Sequence, residues 1–164
     1  MTMNILVKSL ADTEKLGHLL AGMICKAPFS ILLKGDLGSG KTTLTRAIVS
    51  GLPGGDMAEV ASPSFTICNF YPTTPPVLHC DLYRLGENAR LPEEAEDRLD
   101  EGCIMIAEWA EYLDRDFPLP DCLEISFDFA GKGNHSMRTL SLAASGRNAE
   151  LALAELGRCS ACTA

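Results

Sequence analysis

The chain has 164 residues, 46% of them apolar, and a formal net charge of −8. A single domain of this length buries roughly 70% of its unfolded surface, enough for a core without staples. Its lysines and arginines are scattered, so the basic stripe of a direct nucleic-acid binder or a membrane-surface protein is missing and neither role is expected.

Other exclusions are local. No apolar run approaches the ~18 residues of a membrane span. Met1-Thr2-Met3-Asn4-Ile5 lacks the charged and apolar blocks of a signal peptide, and a cytoplasmic location is expected. The seven cysteines are odd in number and widely spaced, which argues against a disulfide framework. Cys25, Cys68, Cys80 and Cys103 lie in apolar segments and read as small hydrophobes. Cys159-Ser160-Ala161-Cys162 follows a helical pattern at the end of the chain and reads as tail.

In chain order, Met3 to Val7 is a short strand. Asp12 or Thr13 can cap a helix to about Cys25, with Leu16, Leu19, Leu20, Met23 and Ile24 on one face. Phe29 to Leu33 is a strand, and a helix runs from Lys41 to about Gly51, where Pro53-Gly54-Gly55 stops it. Strands follow at Phe65 to Tyr71 and Val77 to Cys80, separated by Pro72-Thr73-Thr74-Pro75-Pro76. An acidic helix spans Glu93 to about Glu101, and Cys103 to Ala107 is the continuous apolar run of a strand buried on both faces. A short helix reaches about Asp114. Leu123 to Phe129 and Arg138 to Leu142 form a hairpin around Ala130-Gly131-Lys132-Gly133-Asn134, and Glu150 to Leu156 is a last helix. The sum is an α/β P-loop NTPase fold, three-layered, with a mainly parallel central sheet and antiparallel edge strands. Residues 1–157 make a single domain and 158–164 a flexible tail.

The chemistry concentrates between the second strand and the second helix. Gly35 to Thr42 fit G-x-x-x-x-G-K-[ST], the phosphate loop. A triphosphate needs a concave shell of N–H donors, which glycines permit through positive φ and close backbone approach. The following helix adds its unpaired N–H groups and the positive end of its dipole. Lys41 supplies a point charge for the β- and γ-phosphates, and the Thr42 hydroxyl can reach a Mg²⁺ bridging them. Asp36, Leu37, Gly38, Ser39, Gly40 and Thr43 complete the nucleotide cradle.

Such a site needs a second carboxylate, usually at a strand end. Asp81 and Glu108 both end strands, and either or both can face the crevice. His79 shares a strand face with Asp81, as a supporting group or as a core histidine. Ser62-Pro63-Ser64-Phe65-Thr66 is either a γ-phosphate-sensing loop or a polar turn. No Asn-Lys-x-Asp motif is present, against a GTPase, and Asp128-Phe129-Ala130-Gly131 lies too late to be a D-x-x-G switch. Leu85 to Glu101 holds only Arg90 and Arg98 among many acids, a poor lid for a small-molecule kinase. The chain is also too short for a ring ATPase.

Taken together, Gly-Asp-Leu-Gly-Ser-Gly-Lys-Thr-Thr from Gly35, Ser-Pro-Ser-Phe-Thr from Ser62, His-Cys-Asp-Leu-Tyr-Arg-Leu from His79 and Glu-Trp-Ala-Glu from Glu108 resemble the TsaE (YjeE) family of bacterial P-loop ATPases, over roughly residues 5–157. The resemblance implies a protein that binds and slowly hydrolyses ATP to ADP with Mg²⁺. Such a protein acts in making threonylcarbamoyladenosine in tRNA by docking on and resetting the TsaB–TsaD pair, without strong tRNA binding of its own. It implies that Lys41 and the loop amides hold phosphates, that Thr42 and Glu108 bind Mg²⁺, and that Asp81 orients or activates the attacking water or holds the metal through water. Thr13, and Lys132 from the hairpin, would lie near the adenine. Ser64 stands where the family usually has Thr, and Ala107 and Ala110 replace a bulkier residue and a proline around Glu-Trp. The other classes kept open are a nucleotide-gated assembly protein with incidental hydrolysis and a small-molecule phosphotransferase.

Overall fold

A computed structural model describes residues 2–63, 66–130 and 137–159. The elements are β1 (Thr2–Val7), α1 (Leu10–Lys26), β2 (Ser30–Lys34), α2 (Lys41–Gly51), β3 (Cys68–Tyr71), β4 (Val77–Asp81), α3 (Glu93–Asp100), β5 (Ile104–Glu108), a 3₁₀ turn at Ala110–Tyr112, β6 (Cys122–Phe129), β7 (Arg138–Ser145) and α4 (Arg147–Arg158). The strands form one sheet in the order β1-β7-β6-β2-β5-β4-β3. The four central strands, β6, β2, β5 and β4, are parallel. β1, β7 and β3 pair antiparallel at the edges, so the fold class read from the sequence holds.

One face carries α1, α2 and α4 over Ile31, Leu33, Ile106, Leu123 and Ile125, all fully buried. Among the described residues, the opposite face is covered over β4, β5 and β2, where Ala89, Leu91, Ala95 and Ala110 pack on Leu78, Cys80, Met105 and Ala107. This explains the unbroken apolar run of β5, buried at every position, and the alternation in β6 and β7: a strand sheltered on both sides has no polar face to show. None of the described helices is long and apolar enough to cross a membrane.

α1 and α2 pack in parallel. Gly17 sits against Ala47 and Gly51 against Ala21 and His18, so close that a side chain at Gly17 would meet the Ala47 methyl at 2.3 Å.

Three local expectations are corrected. α1 begins at Leu10, because Ser9 is its cap, its hydroxyl accepting from the Asp12 amide at 3.2 Å. The Asp12 carboxylate accepts in turn from the Lys8 amide at 3.0 Å, a contact that holds its pKa below the usual value. Ser9-Leu10-Ala11-Asp12 thus behaves as a near-capping box.

α4 begins at Arg147 rather than Glu150, because the Asp121 carboxylate, from another part of the chain, accepts from the amides of Asn148 and Ala149 at 2.9 and 2.8 Å. It ends at Arg158, and Cys159 packs against the core. Residues 160–164 of the expected tail, with the hairpin tip at 131–136, lie outside the described residues. Finally, Cys68 and Cys80 are not separate small hydrophobes. They face one another in the β3–β4 register with Cα atoms 4.1 Å apart and are joined by a disulfide. Spacing along the chain said nothing of this, since pairing is decided by strand register.

Candidate functional site

Insertion of β5 between β2 and β4 decides the site. Register sets Leu33 beside Glu108 and Glu108 beside Asp81, so the phosphate loop at the end of β2 and both strand-end acids reach one edge of the sheet. There a cleft of about 260 Å³ is lined by the loop from Leu37 to Thr43 with Ser62, Asp81, Glu108 and Trp109. All residues proposed from the motifs for phosphate, metal and acid roles line it, except Asp36, which takes part through its carbonyl.

The loop is shaped by glycine where nothing else fits. Gly35 has φ +131°, and a side chain there would meet the Phe127 carbonyl oxygen at 2.8 Å. Gly40, at φ 113°, caps α2 without any side-chain hydrogen bond, and the first turn of α2 carries no acid. The first amides of α2 and the positive end of its dipole are left to an anion. Arg138 braces the loop from β7, donating from Nε to the Ser39 carbonyl at 3.0 Å and from Nη2 to the Gly38 carbonyl at 3.3 Å.

Lys41 is 4% exposed. Its ammonium donates to the carbonyls of Gly35 (2.5 Å) and Asp36 (2.8 Å) and lies 4.2 Å over the Trp109 ring. Burial lowers its pKa, while the carboxylates of Glu108, Glu111, Asp81 and Asp36 pull the other way. A desolvated ammonium held by carbonyl dipoles, the Ser39 hydroxyl at 3.5 Å and a ring face is well placed to take an anion. Trp109 has φ 58°, a costly conformation for a bulky residue and of the kind that clusters at functional sites. Its ring packs with those of Tyr83 and Tyr112, centroids 4.8 and 5.9 Å away.

Thr42 donates from Oγ1 to Glu108 Oε2 at 2.8 Å, and Glu108 Oε1 lies 2.8 Å from His79 Nε2. Hydroxyl and carboxylate oxygens meeting at a phosphate loop form a hard donor set, which suits Mg²⁺. Among the described residues no group of three or more His, Cys, Asp or Glu could hold a metal unaided. A Mg²⁺ here would draw its other ligands from phosphate and water, its usual habit.

Asp81 is engaged on both oxygens, Oδ2 accepting from Ser62 Oγ at 2.6 Å and Oδ1 from the Tyr83 amide at 3.1 Å. Arg84 Nη2 donates to the carbonyls of Pro63 and Thr66. The 62–66 loop is thereby latched at both ends to the turn after β4, though Ser64 and Phe65 lie outside the described residues. Thr13 lies on α1, its hydroxyl donating to the Ser9 carbonyl at 3.4 Å. The Gly17–Ala47 register sets it one turn nearer the loop, level with Thr43 and outside the cleft lining. Lys132 lies outside the described residues.

The sequence reading missed Arg84, Arg138 and the two tyrosines. Arg84 stood beside the strand-end acid in Asp81-Leu82-Tyr83-Arg84 and could have been suspected. Arg138 is about a hundred residues from the carbonyls it holds, and no local pattern announces it.

Comparison with known proteins follows the same lines. Residues 7–138 match the family model described as Threonylcarbamoyl adenosine biosynthesis protein TsaE. The tRNA threonylcarbamoyladenosine biosynthesis protein TsaE of Bacillus subtilis is 34% identical over 153 residues, 90% of this chain and 89% of that one. Its namesake in Aquifex aeolicus is 35% identical over 122 residues, 74% and 84% of the two chains. A crystal structure of Bacillus subtilis YdiB matches with a TM-score of 0.70 and 27% identity, over 96% of this chain and 95% of that one. With the family model matched over residues 7–138 and relatives at 34–35% identity covered over most of their length, the chain belongs to the TsaE family of threonylcarbamoyladenosine biosynthesis proteins.

Proposed function

We propose that this protein binds ATP with Mg²⁺, hydrolyses it slowly to ADP, and in doing so supports formation of threonylcarbamoyladenosine in tRNA, docked on a TsaB–TsaD pair. The observation that carries the nucleotide part is the meeting of Lys41, Thr42 and Glu108 around one cleft at the end of β2. The loop amides and Lys41 hold the phosphates. Thr42 and Glu108 hold Mg²⁺, which supplies charge neutralisation on the β- and γ-phosphates when bound. Asp81 accepts a hydrogen bond from the attacking water once Ser62 gives way. The family relationship supports the tRNA part, and the net charge of −8 suits a protein partner better than tRNA itself. No membrane role is proposed, and the site of action is the cytoplasm.

The test is phosphate release from Mg-ATP by the protein alone and with a purified TsaB–TsaD pair from the same organism. Slow turnover that rises with the pair is expected. Turnover indifferent to the pair, with no co-elution, would detach the ATP site from tRNA modification. The hydrogen bonds on both oxygens of Asp81 favour a second reading, in which nucleotide binding gates assembly and hydrolysis is incidental. Glu108→Ala separates the two: modification sustained without turnover supports the gate.

A further inference from the structure

We propose that His79 is the positioning residue for Glu108, fixing which carboxylate oxygen faces the cleft. The inference rests on the reading of Glu108 as a metal ligand given above.

His79 is 0% and Glu108 3% exposed. The β4–β5 register pairs His79 with Ile106 and Asp81 with Glu108, so His79 and Glu108 are diagonal neighbours on one sheet face, within reach of long side chains. The two oxygens of Glu108 have different partners: Oε1 lies 2.8 Å from His79 Nε2, and Oε2 accepts from Thr42 Oγ1 at 2.8 Å. The other ring nitrogen, Nδ1, is buried without a partner among the described residues. A buried N–H left without an acceptor costs more than a bare ring nitrogen, and a carboxylate can only accept, so Nε2 carries the hydrogen and donates it to Glu108. A histidine kept only for packing has no need to aim a donor at the one buried carboxylate of the cleft.

The consequence is a Glu108 that cannot turn. With Oε1 tied from below, the carboxylate presents Oε2 alone, on the side where Thr42 and the phosphate loop converge. It therefore offers a cation one oxygen rather than two and leaves the other positions to phosphate and water. Partners of this kind, one step behind a ligand, typically change metal affinity about 10- to 100-fold when removed.

The experiment measures Mn²⁺ binding by electron paramagnetic resonance with a non-hydrolysable ATP analogue, on the full chain and on Glu108→Ala, His79→Leu and His79→Gln. Metal-free affinity for the analogue and the urea midpoint are recorded alongside. Expected is a loss of Mn²⁺ affinity of about tenfold or more in His79→Leu, with metal-free nucleotide affinity unchanged and most of the loss recovered in His79→Gln, whose amide can donate. Wild-type Mn²⁺ affinity in His79→Leu, with affinity lost in Glu108→Ala, would overturn the proposal and leave the ligand reading standing. Wild-type affinity in Glu108→Ala would overturn the ligand reading itself. Should the His79 variants not fold, ¹⁵N-histidine spectra of the wild type decide instead. A protonated, hydrogen-bonded Nε2 that shifts on addition of Mg²⁺ and the analogue, and is perturbed in Glu108→Ala, is expected. A ring protonated at Nδ1 alone would overturn the proposal.

Discussion

The Thr42 hydroxyl and the Glu108 carboxylate meet at 2.8 Å although 66 residues separate them in the chain. The contact links the first turn of the phosphate-loop helix to the end of β5, so the two residues should behave as one unit. Thr42→Ala and Glu108→Ala are each expected to weaken Mg²⁺-dependent nucleotide binding, and the double variant to be little worse than the poorer single one. Groups sharing a contact couple by about 0.5–3 kcal/mol. A double-mutant cycle by calorimetry reads the term, and strict additivity would separate the two residues.

Lys41→Ala should lose most ATP affinity, about 10- to 100-fold, since a charge-assisted hydrogen bond contributes about 1.5–3 kcal/mol. Unchanged binding by calorimetry would remove Lys41 from the site. The same residue sets a pH dependence of stability. Burial lowers its folded-state pKa, so between that value and the ordinary lysine value the unfolded chain holds the extra proton. Stability therefore rises with pH across this window. Comparing denaturation of the nucleotide-free wild type with Lys41→Met should show the difference moving in favour of the wild type as pH climbs toward the ordinary lysine range.

Trp109 is the only tryptophan of the chain, so its emission reports one place. Its ring lies under the Lys41 ammonium and its backbone follows Glu108. Mg-nucleotide draws on both neighbours and should change the fluorescence. A flat titration, with saturable binding seen by another method, would count against this geometry.

Two glycines of one helix should respond with opposite signs. At Gly22 an added methyl meets nothing within 4 Å, so Gly22→Ala should stabilise by about 0.5–1 kcal/mol through helix propensity. At Gly17 it would lie 2.3 Å from the Ala47 methyl and 3.0 Å from backbone. The same propensity gain is outweighed there by overpacking, and Gly17→Ala should cost about 1–3 kcal/mol. Urea unfolding of the pair measures both, and a stabilised Gly17→Ala would refute the close α1–α2 packing.

What could be read from residues alone was whatever depends on neighbours in sequence. The phosphate loop and the extent of α2 fall as Gly35 to Gly51 suggest, and β5 declares its double burial through Cys103 to Ala107. Asp81 and Glu108 could be named as strand-end acids, but their adjacency needed the β4–β5 register. The same holds for the Cys68–Cys80 link and for His79, which the sequence left open between a supporting group and a core histidine and whose bond to Glu108 only the register shows. The start of α4 was misjudged because its cap, Asp121, comes from elsewhere in the chain, whereas that of α1 was misjudged by passing over the adjacent Ser9. Arg138 reaching Gly38 and Ser39 belongs to the same class.

The uneven covering of the sheet has a consequence for where the molecule breathes. β5 is shut in on both faces, while Lys34 of β2 and Glu124 of β6 form a partly exposed pair on the open side of the sheet. Local opening follows shelter and packing. Amide hydrogen exchange should be slowest in Ile31–Leu33 and Ile104–Ala107 and faster in β1 and β7. The residues of the proposed phosphate site are thus fastened to the strands expected to exchange slowest, and opening is left to the outer strands.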